Sequence, residues 1–216
     1  MMLQLLRKDL FLIRKGLLLS VVLTMLVSVL CLYLETGTAA IYIISALLSF
    51  LIMIMGNLVS EHEQETTNFF LTLPISKNQF VLSKYMSGLL IGILSWLATS
   101  IILLACLLLP FQYNISGSAV IVGLCLTLGI ITTAVSFVLP VYYTWGYKAT
   151  RLLMIIPIIL LSFSSQIVHS SFFQEMFITL FDYSTLFLMT VFLIISLFVY
   201  VLSYVIALVI VKRKNF

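Results

Sequence analysis

The densest group of chemically reactive side chains is an acidic cluster that contains Glu61, His62, Glu63 and Glu65. A zinc metalloprotease needs the pattern H-E-x-x-H, because two histidines one helical turn apart bind the metal from the same face. The cluster lacks the second histidine, and the other histidine of the chain, His169, falls at the opposite membrane edge in the topology derived below. No metal site is therefore predicted here.

Other catalytic patterns are also missing from the sequence. No G-x-x-x-x-G-K-[ST] P-loop occurs, so we predict no cofactor for the chain itself, neither ATP nor Mg²⁺. Cys31, Cys106 and Cys125 lie in apolar runs without C-x-x-C spacing and are expected to pack as small apolar side chains. Intramembrane hydrolases and proton-coupled carriers usually need ionisable groups inside the membrane, and the predicted spans contain no Asp, Glu, Lys or Arg. An enzyme is therefore disfavoured.

The composition predicts a membrane protein. Of the 216 residues, 63% are hydrophobic and 8% are charged, whereas about a quarter of the residues are charged in a typical soluble domain. The net charge of +4 does not predict nucleic-acid binding, because the basic residues form short clusters between apolar runs rather than one basic face.

The apolar runs organise the chain into a single all-α integral membrane domain over residues 1–216. A bilayer core needs about 20 helical residues, and six runs meet or approach this length. We predict transmembrane helices at residues 16–34, 40–59, 85–109, 118–142, 152–168 and 186–211. The fifth is the shortest and contains Pro157, so a kink or a tilt is expected there.

The basic residues set the orientation of these spans. All 11 Lys and Arg residues fall at the two termini or in the second and fourth loops, which share one side of the membrane if there are six spans. The opposite side carries only the acidic residues Glu35, Glu175 and Asp182. The positive-inside rule therefore predicts a multi-pass protein of the cell membrane with both termini in the cytoplasm.

The one long polar stretch, residues 60–84, contains two helix starts separated by a proline. Ser60 with Glu63 forms an S-x-x-E capping box, and Ser76 with Gln79 forms an S-x-x-Q box. We expect a short amphipathic helix on the cytoplasmic side, a sharp corner at the proline, and a new helix that runs into the third span.

This short helix and its corner are the predicted docking site for a cytoplasmic partner. The residues expected to form this docking site are Glu61, Glu65, Phe69, Leu73, Pro74 and Ser76. The alternative is that the glutamates form a solvated loop face, as a run of charges usually does.

The same stretch resembles the coupling region of ABC-2-type transporter permeases, in which an acidic residue precedes Leu-x-Leu-Pro-Ile-Ser and a lysine opens the next span. The matching positions are Glu65, Leu71, Leu73, Pro74, Ile75, Ser76 and Lys84. The resemblance implies the membrane subunit of an ABC exporter, similar to small permeases of Gram-positive bacteria that act in peptide export and self-immunity. It also implies a separate ABC ATP-binding subunit that holds ATP and Mg²⁺ and is coupled to the chain by the predicted docking residues. A second permease subunit, identical or homologous, is implied as well. We call residues 61–76 the coupling segment.

Two further amphipathic segments flank the spans. Residues 1–15 combine a leucine-rich stripe with four basic residues, which favours an interfacial helix on the anionic cytoplasmic leaflet; the alternative is a simple orientation signal. Ser171 with Gln174 opens a short external helix with one apolar side before the last span. ABC-2-type permeases place short external or re-entrant helices in this interval, and an interfacial helix with no role in transport is the alternative.

The third predicted span carries a ridge of small residues at helical spacing, Gly88, Gly92, Ser95 and Thr99. Small side chains let helices approach closely in lipid, so Gly88, Gly92 and Ser95 are predicted helix-packing residues. Direct contact with a transported molecule is the alternative.

These observations together predict a permease subunit of an ATP-driven exporter. The uninterrupted apolar interior suits amphipathic or hydrophobic cargo, such as a peptide, a lipid-like molecule or a drug. The alternatives are a non-ABC carrier or channel, which would need no ATPase, and a membrane scaffold subunit.

Overall fold

The computed structural model describes residues 18–19, 21–26, 28, 38–53, 76–107, 117–146, 149 and 185–213. All of these residues are helical except Ser76 and Gly146, so the described part of the chain contains no strand. This agrees with the predicted all-α fold class.

Four continuous helices make up most of the described structure. They are α1 (Thr38–Met53), α2 (Lys77–Leu107), α3 (Gly117–Trp145) and α4 (Thr185–Arg213). The last three are long and apolar enough to cross a membrane. A helix satisfies its backbone hydrogen bonds internally, which a segment in lipid must do. The chain is therefore embedded in the membrane.

Each of these helices overlaps one of the predicted spans. The helix α2 begins eight residues before the predicted start at Tyr85, because the S-x-x-Q start and the third span form one unbroken helix. The span predicted at 152–168 lies outside the described residues. So do the amphipathic helices predicted before the first and last spans, and parts of the spans at 16–34 and 40–59.

The end of α3 is also later than predicted. Pro140 lies inside the helix, which continues to Trp145. Gly146 then adopts a positive φ of 78°, and its N–H donates to the carbonyl of Tyr142 at 3.0 Å. Glycine accepts this left-handed conformation without a steric penalty and commonly ends helices in this way.

The helix α3 is the centre of the bundle and contacts α1, α2 and α4. Two of its glycines permit close packing. A Cβ atom at Gly123 would overlap the ring of Tyr42 on α1, and a Cβ atom at Gly129 would overlap the ring of Phe192 on α4. Close approach at small residues is a major source of helix association in lipid.

Hydroxyl groups link the helices across these apolar contacts. Tyr42 on α1 hydrogen bonds to Ser100 on α2 at 3.1 Å, and the hydroxyl groups of Thr132 on α3 and Ser196 on α4 lie 3.2 Å apart. The indole N–H of Trp96 donates to a carbonyl of α3 at 3.2 Å. The outer faces of α2 and α4 expose large apolar side chains, as expected for surfaces covered by lipid hydrocarbon.

Candidate coupling site

The helix α2 begins directly at the end of the coupling segment, and its own sequence fixes the start. The N–H of Gln79 lies 3.4 Å from the Ser76 hydroxyl and 2.9 Å from the Ser76 carbonyl. Ser76 is exposed and occupies the N-cap, where a side-chain oxygen satisfies a first-turn N–H group that has no partner within the helix. The start of the helix is therefore locally specified, as the S-x-x-Q pattern predicts.

The other predicted coupling residues lie outside the described part of the chain. They are Glu61, Glu65, Phe69, Leu73 and Pro74. Of the predicted coupling set, the structure places Ser76, and it shows what the segment is attached to: a single helix of 31 residues.

Six aromatic side chains pack around the beginning of α2. We call this group the helix-end cluster; its members are Phe80, Tyr85, Tyr142, Tyr143, Tyr200 and Tyr204. They come from the start of α2, the end of α3 and the C-terminal half of α4. The cluster therefore joins three helices at one end of the bundle.

The rings of the helix-end cluster meet edge to face. Tyr85 contacts Tyr200 and Tyr204 with ring centroids 5.0 and 5.4 Å apart. Phe80 contacts Tyr143 at 6.5 Å, and Tyr143 contacts Tyr142 at 5.5 Å. Such T-shaped pairs add about 0.5 to 1.5 kcal/mol beyond the burial of their area. They favour one relative placement of α2, α3 and α4.

Hydrogen bonds reinforce the same contacts. The hydroxyl of Tyr200 donates to the backbone carbonyl of Tyr85. The hydroxyl of Tyr85 lies 2.7 Å from the Ser203 hydroxyl, which in turn donates to the carbonyl of Ser136 at 2.6 Å. We call Tyr85, Ser136, Tyr200 and Ser203 the Tyr85 network. It links all three helices through polar groups that are hidden from solvent.

Lys84 lies deeper in the protein than the sequence suggests. Its basic charge assigns it to the cytoplasmic flank of the third span, but in the structure it is a residue of α2 with 2% of its surface exposed. The helix starts at Lys77, so Lys84 falls two turns inside it and packs within the bundle. It therefore belongs to the packed end of the bundle and not to an open loop.

Two of the predicted packing residues, Gly92 and Ser95, contact neighbouring helices. Gly88 and Gly92 are buried, and a Cβ atom at Gly92 would lie 3.0 Å from a methyl group of Leu128 on α3. On the α1 side, the hydroxyl of Ser95 lies 2.8 Å from that of Ser49 and 3.4 Å from the carbonyl of Ser45. The ridge thus lies between α1 and α3.

A cavity of about 380 Å³ lies beside Ser95. It is bounded by α1, by α2 and by Val21 and Thr24, which precede α1 in the chain. Its wall is mainly apolar, with hydroxyl groups from three residues. It is lined by Val21, Thr24, Ser49, Ile91, Leu94, Ser95, Leu97, Ala98 and Ile101. Such a wall can accommodate hydrocarbon but offers no fixed charge.

The described residues hold no group of three or more His, Cys, Asp or Glu side chains that could bind a metal ion. Their charged residues are Lys77, Lys84, Lys212 and Arg213, and all four lie at the helix ends that the helix-end cluster joins. This end of the bundle therefore combines aromatic packing with positive charge, and the described residues provide no metal-binding group there.

The sequence did not predict the helix-end cluster or the Tyr85 network. Tyrosines near the basic ends of three apolar runs are a signal of an aromatic belt at a membrane interface. That signal would have located the level of these side chains but not their partners, because Tyr85 and Tyr200 are 115 positions apart.

A comparison with protein families supports the resemblance to ABC-2-type permeases. A family model described as "ABC-2 family transporter protein" matches residues 4–212. No curated protein matches the chain.

Proposed function

The chain belongs to the ABC-2 transporter family, and on this basis we propose that it is the permease subunit of an ATP-driven exporter of amphipathic or hydrophobic cargo. Members of this family are membrane subunits that work with an ABC ATP-binding partner. The direction of transport and the kind of cargo are part of the proposal.

The observation that carries the proposal is the continuity of α2. The helix starts at Lys77, directly after the coupling segment, and continues for 31 residues into the apolar core of the bundle. A continuous helix is stiff over this length, so a force on its first turn is delivered to residues deep in the membrane. A solvated loop would not transmit force in this way.

The helix-end cluster extends that connection to the rest of the bundle. Its aromatic contacts attach the start of α2 to α3 and α4 near their ends. A displacement of the coupling segment would therefore move three helices together. This is the behaviour that a permease needs if ATP hydrolysis on another polypeptide is to open a path through the membrane.

The proposed partners follow from the same arrangement. A separate ABC subunit would bind ATP and Mg²⁺, since the sequence contains no P-loop. A second permease subunit, identical or homologous, would complete the pathway. Membrane lipid surrounds the spans, and no nucleic acid is expected as a partner.

We further propose that the chain has six spans with both termini in the cytoplasm. In the described helices, the start of α2 and the ends of α3 and α4 lie together, and their charged residues are basic. This placement supports a topology in which the basic loops share one side, as the positive-inside rule requires.

The proposed cargo class rests on the charges of the described helices and on the apolar wall of the cavity. No acidic residue occurs in the described helices, and their basic residues lie at one end. A strongly hydrophilic cargo would meet no counter-charge in the membrane, where an unpaired charge is costly. The apolar cavity with its three hydroxyl-bearing residues supports the same choice of cargo.

Purification of the tagged chain from its native membrane tests the proposal. We expect a P-loop ATPase to co-purify, and the reconstituted complex to transport a fluorescent amphipathic peptide only when ATP and Mg²⁺ are present. A stable assembly that transports the peptide without any ATPase would instead support a non-ABC carrier.

A further inference from the structure

The Tyr85 network has a defined direction of hydrogen bonding. Ser203 donates its single hydroxyl hydrogen to the carbonyl of Ser136 at 2.6 Å. The Tyr85 hydroxyl, 2.7 Å from the Ser203 oxygen, must therefore be the donor in that pair. The Tyr200 hydroxyl donates in the opposite direction, from α4 to the backbone of α2 at Tyr85. Tyr85 is thus held both at its backbone and at the tip of its side chain.

These bonds are buried. Tyr85 is 2% exposed, and Tyr200, Ser203 and Ser136 are 6%, 5% and 5% exposed. Water cannot replace a broken bond there, so separating the groups leaves buried polar atoms unpaired. The network therefore favours movement of the attached helix segments as one unit.

The network also lies at a specific distance from the coupling segment. At a rise of 1.5 Å per residue, Tyr85 is about 13 Å along α2 from Ser76. No proline interrupts the helix between these positions. At this position the buried hydrogen bonds of the Tyr85 network connect α2 to α4 directly and, through Ser203, to α3.

We propose that Tyr200 is a positioning residue for energy coupling: its hydroxyl holds the backbone of α2 at Tyr85, so that movement of the coupling segment is passed to α3 and α4. This inference rests on the proposed function. It assigns Tyr200 no contact with ATP or cargo, and its effect is exerted through the placement of α2.

A pair of tyrosine variants separates this role from simple packing. Tyr200→Phe removes the hydroxyl but keeps the ring that packs on Tyr85 at 5.0 Å. Tyr204→Phe is the matched control, since its ring packs on Tyr85 at 5.4 Å and no hydrogen bond links its hydroxyl to another described helix. Both variants are expected to assemble with the ATPase.

The first readout is the number of ATP molecules hydrolysed per peptide transported by the complex in proteoliposomes. A hydrogen bond between membrane helices contributes about 0.6 kcal/mol, which corresponds to about a threefold change in an equilibrium. We expect Tyr200→Phe to raise the ATP-to-peptide ratio about threefold and Tyr204→Phe to leave it unchanged. An unchanged ratio in Tyr200→Phe, with both rates lowered equally, would overturn the proposal.

The second readout does not depend on the proposed function. Spin labels carried by unnatural amino acids at Asn78 and Lys212, which are exposed on α2 and α4, report the distance between the two helix ends in lipid nanodiscs. We expect a broader or displaced distance distribution in Tyr200→Phe and the wild-type distribution in Tyr204→Phe. An unaltered distribution in Tyr200→Phe would overturn the positioning role, whether or not an ATPase partner exists.

Ser203→Ala tests whether the role belongs to Tyr200. It removes the bonds from α4 to the Tyr85 hydroxyl and to the Ser136 carbonyl, but it leaves the bond from Tyr200 to the Tyr85 carbonyl in place. We therefore expect smaller changes in the ATP-to-peptide ratio and in the distance distribution than in Tyr200→Phe. A Ser203→Ala protein that changes both measurements as much as Tyr200→Phe does would contradict the assignment of the role to Tyr200.

Discussion

A single methyl group added at Gly123 should separate α1 from α3. The new Cβ atom would overlap the ring of Tyr42. The ring has little room to turn aside, because Tyr42 is 1% exposed and its hydroxyl lies 3.1 Å from that of Ser100. Gly123→Ala therefore requires either a shift of one helix or the loss of that hydrogen bond.

The change in the free energy of unfolding follows from three effects, two that destabilise the protein and one that stabilises it. Overpacking a close contact costs about 1 to 3 kcal/mol, and loss of the inter-helix hydrogen bond adds about 0.6 kcal/mol. Alanine recovers about 1 kcal/mol of helix propensity relative to glycine. We expect Gly123→Ala to lower the free energy of unfolding by about 1 to 2 kcal/mol.

The assay is unfolding of the purified protein by SDS in mixed micelles, followed by circular dichroism. Gly117→Ala is the control, because a Cβ atom there meets no other atom within 4 Å. In a Tyr42→Ala background the ring is gone, so Gly123→Ala should become neutral or stabilising. If Gly123→Ala is as stable as Gly117→Ala in the protein that retains Tyr42, the proposed α1–α3 contact is wrong.

Three further predictions concern topology, coupling and cargo. A reporter fused after Phe216 should signal from the cytoplasm and one inserted near Asn114 from the outside; the reverse would contradict the proposed orientation. Glu65→Lys and Pro74→Ala should leave expression intact while transport and cargo-stimulated ATP hydrolysis fall together, and unchanged transport in both would favour a solvated loop. Amphipathic helical peptides should raise the ATPase rate of the reconstituted complex more than sugars or inorganic ions do, and a response to hydrophilic solutes alone would contradict an apolar pathway.

Features set by local sequence could be predicted for this chain. The start of α2 depends on Ser76 and Gln79, three positions apart, and on the need of a lipid-embedded segment to satisfy its own backbone. The overlap of α3 and α4 with apolar runs has the same origin. The end of α3 was placed three residues early because the apolar run was taken to end at Tyr142, whereas the helix continues to Trp145 and ends at Gly146.

Features set by tertiary contact could not be predicted. The Tyr85 network joins three helices through residues that are far apart in the chain, and no periodicity in one segment indicates a partner in another. The burial of Lys84 was missed for a related reason. A lysine beside an apolar run marks the membrane edge by its charge, but its exposure depends on which helices pack around it.

Photo-crosslinking from the start of α2 tests the central claim most directly. A photoreactive amino acid at Asn78, which is exposed two residues after Ser76, would be activated in intact membranes, with the exposed Ser118 at the start of α3 as the control site. We predict that Asn78 crosslinks to a P-loop ATPase, identified by mass spectrometry, and that Ser118 does not. If Asn78 captures no ATPase in membranes that support ATP-dependent transport, or if both sites capture it equally, α2 is not the element that couples ATP hydrolysis to this permease.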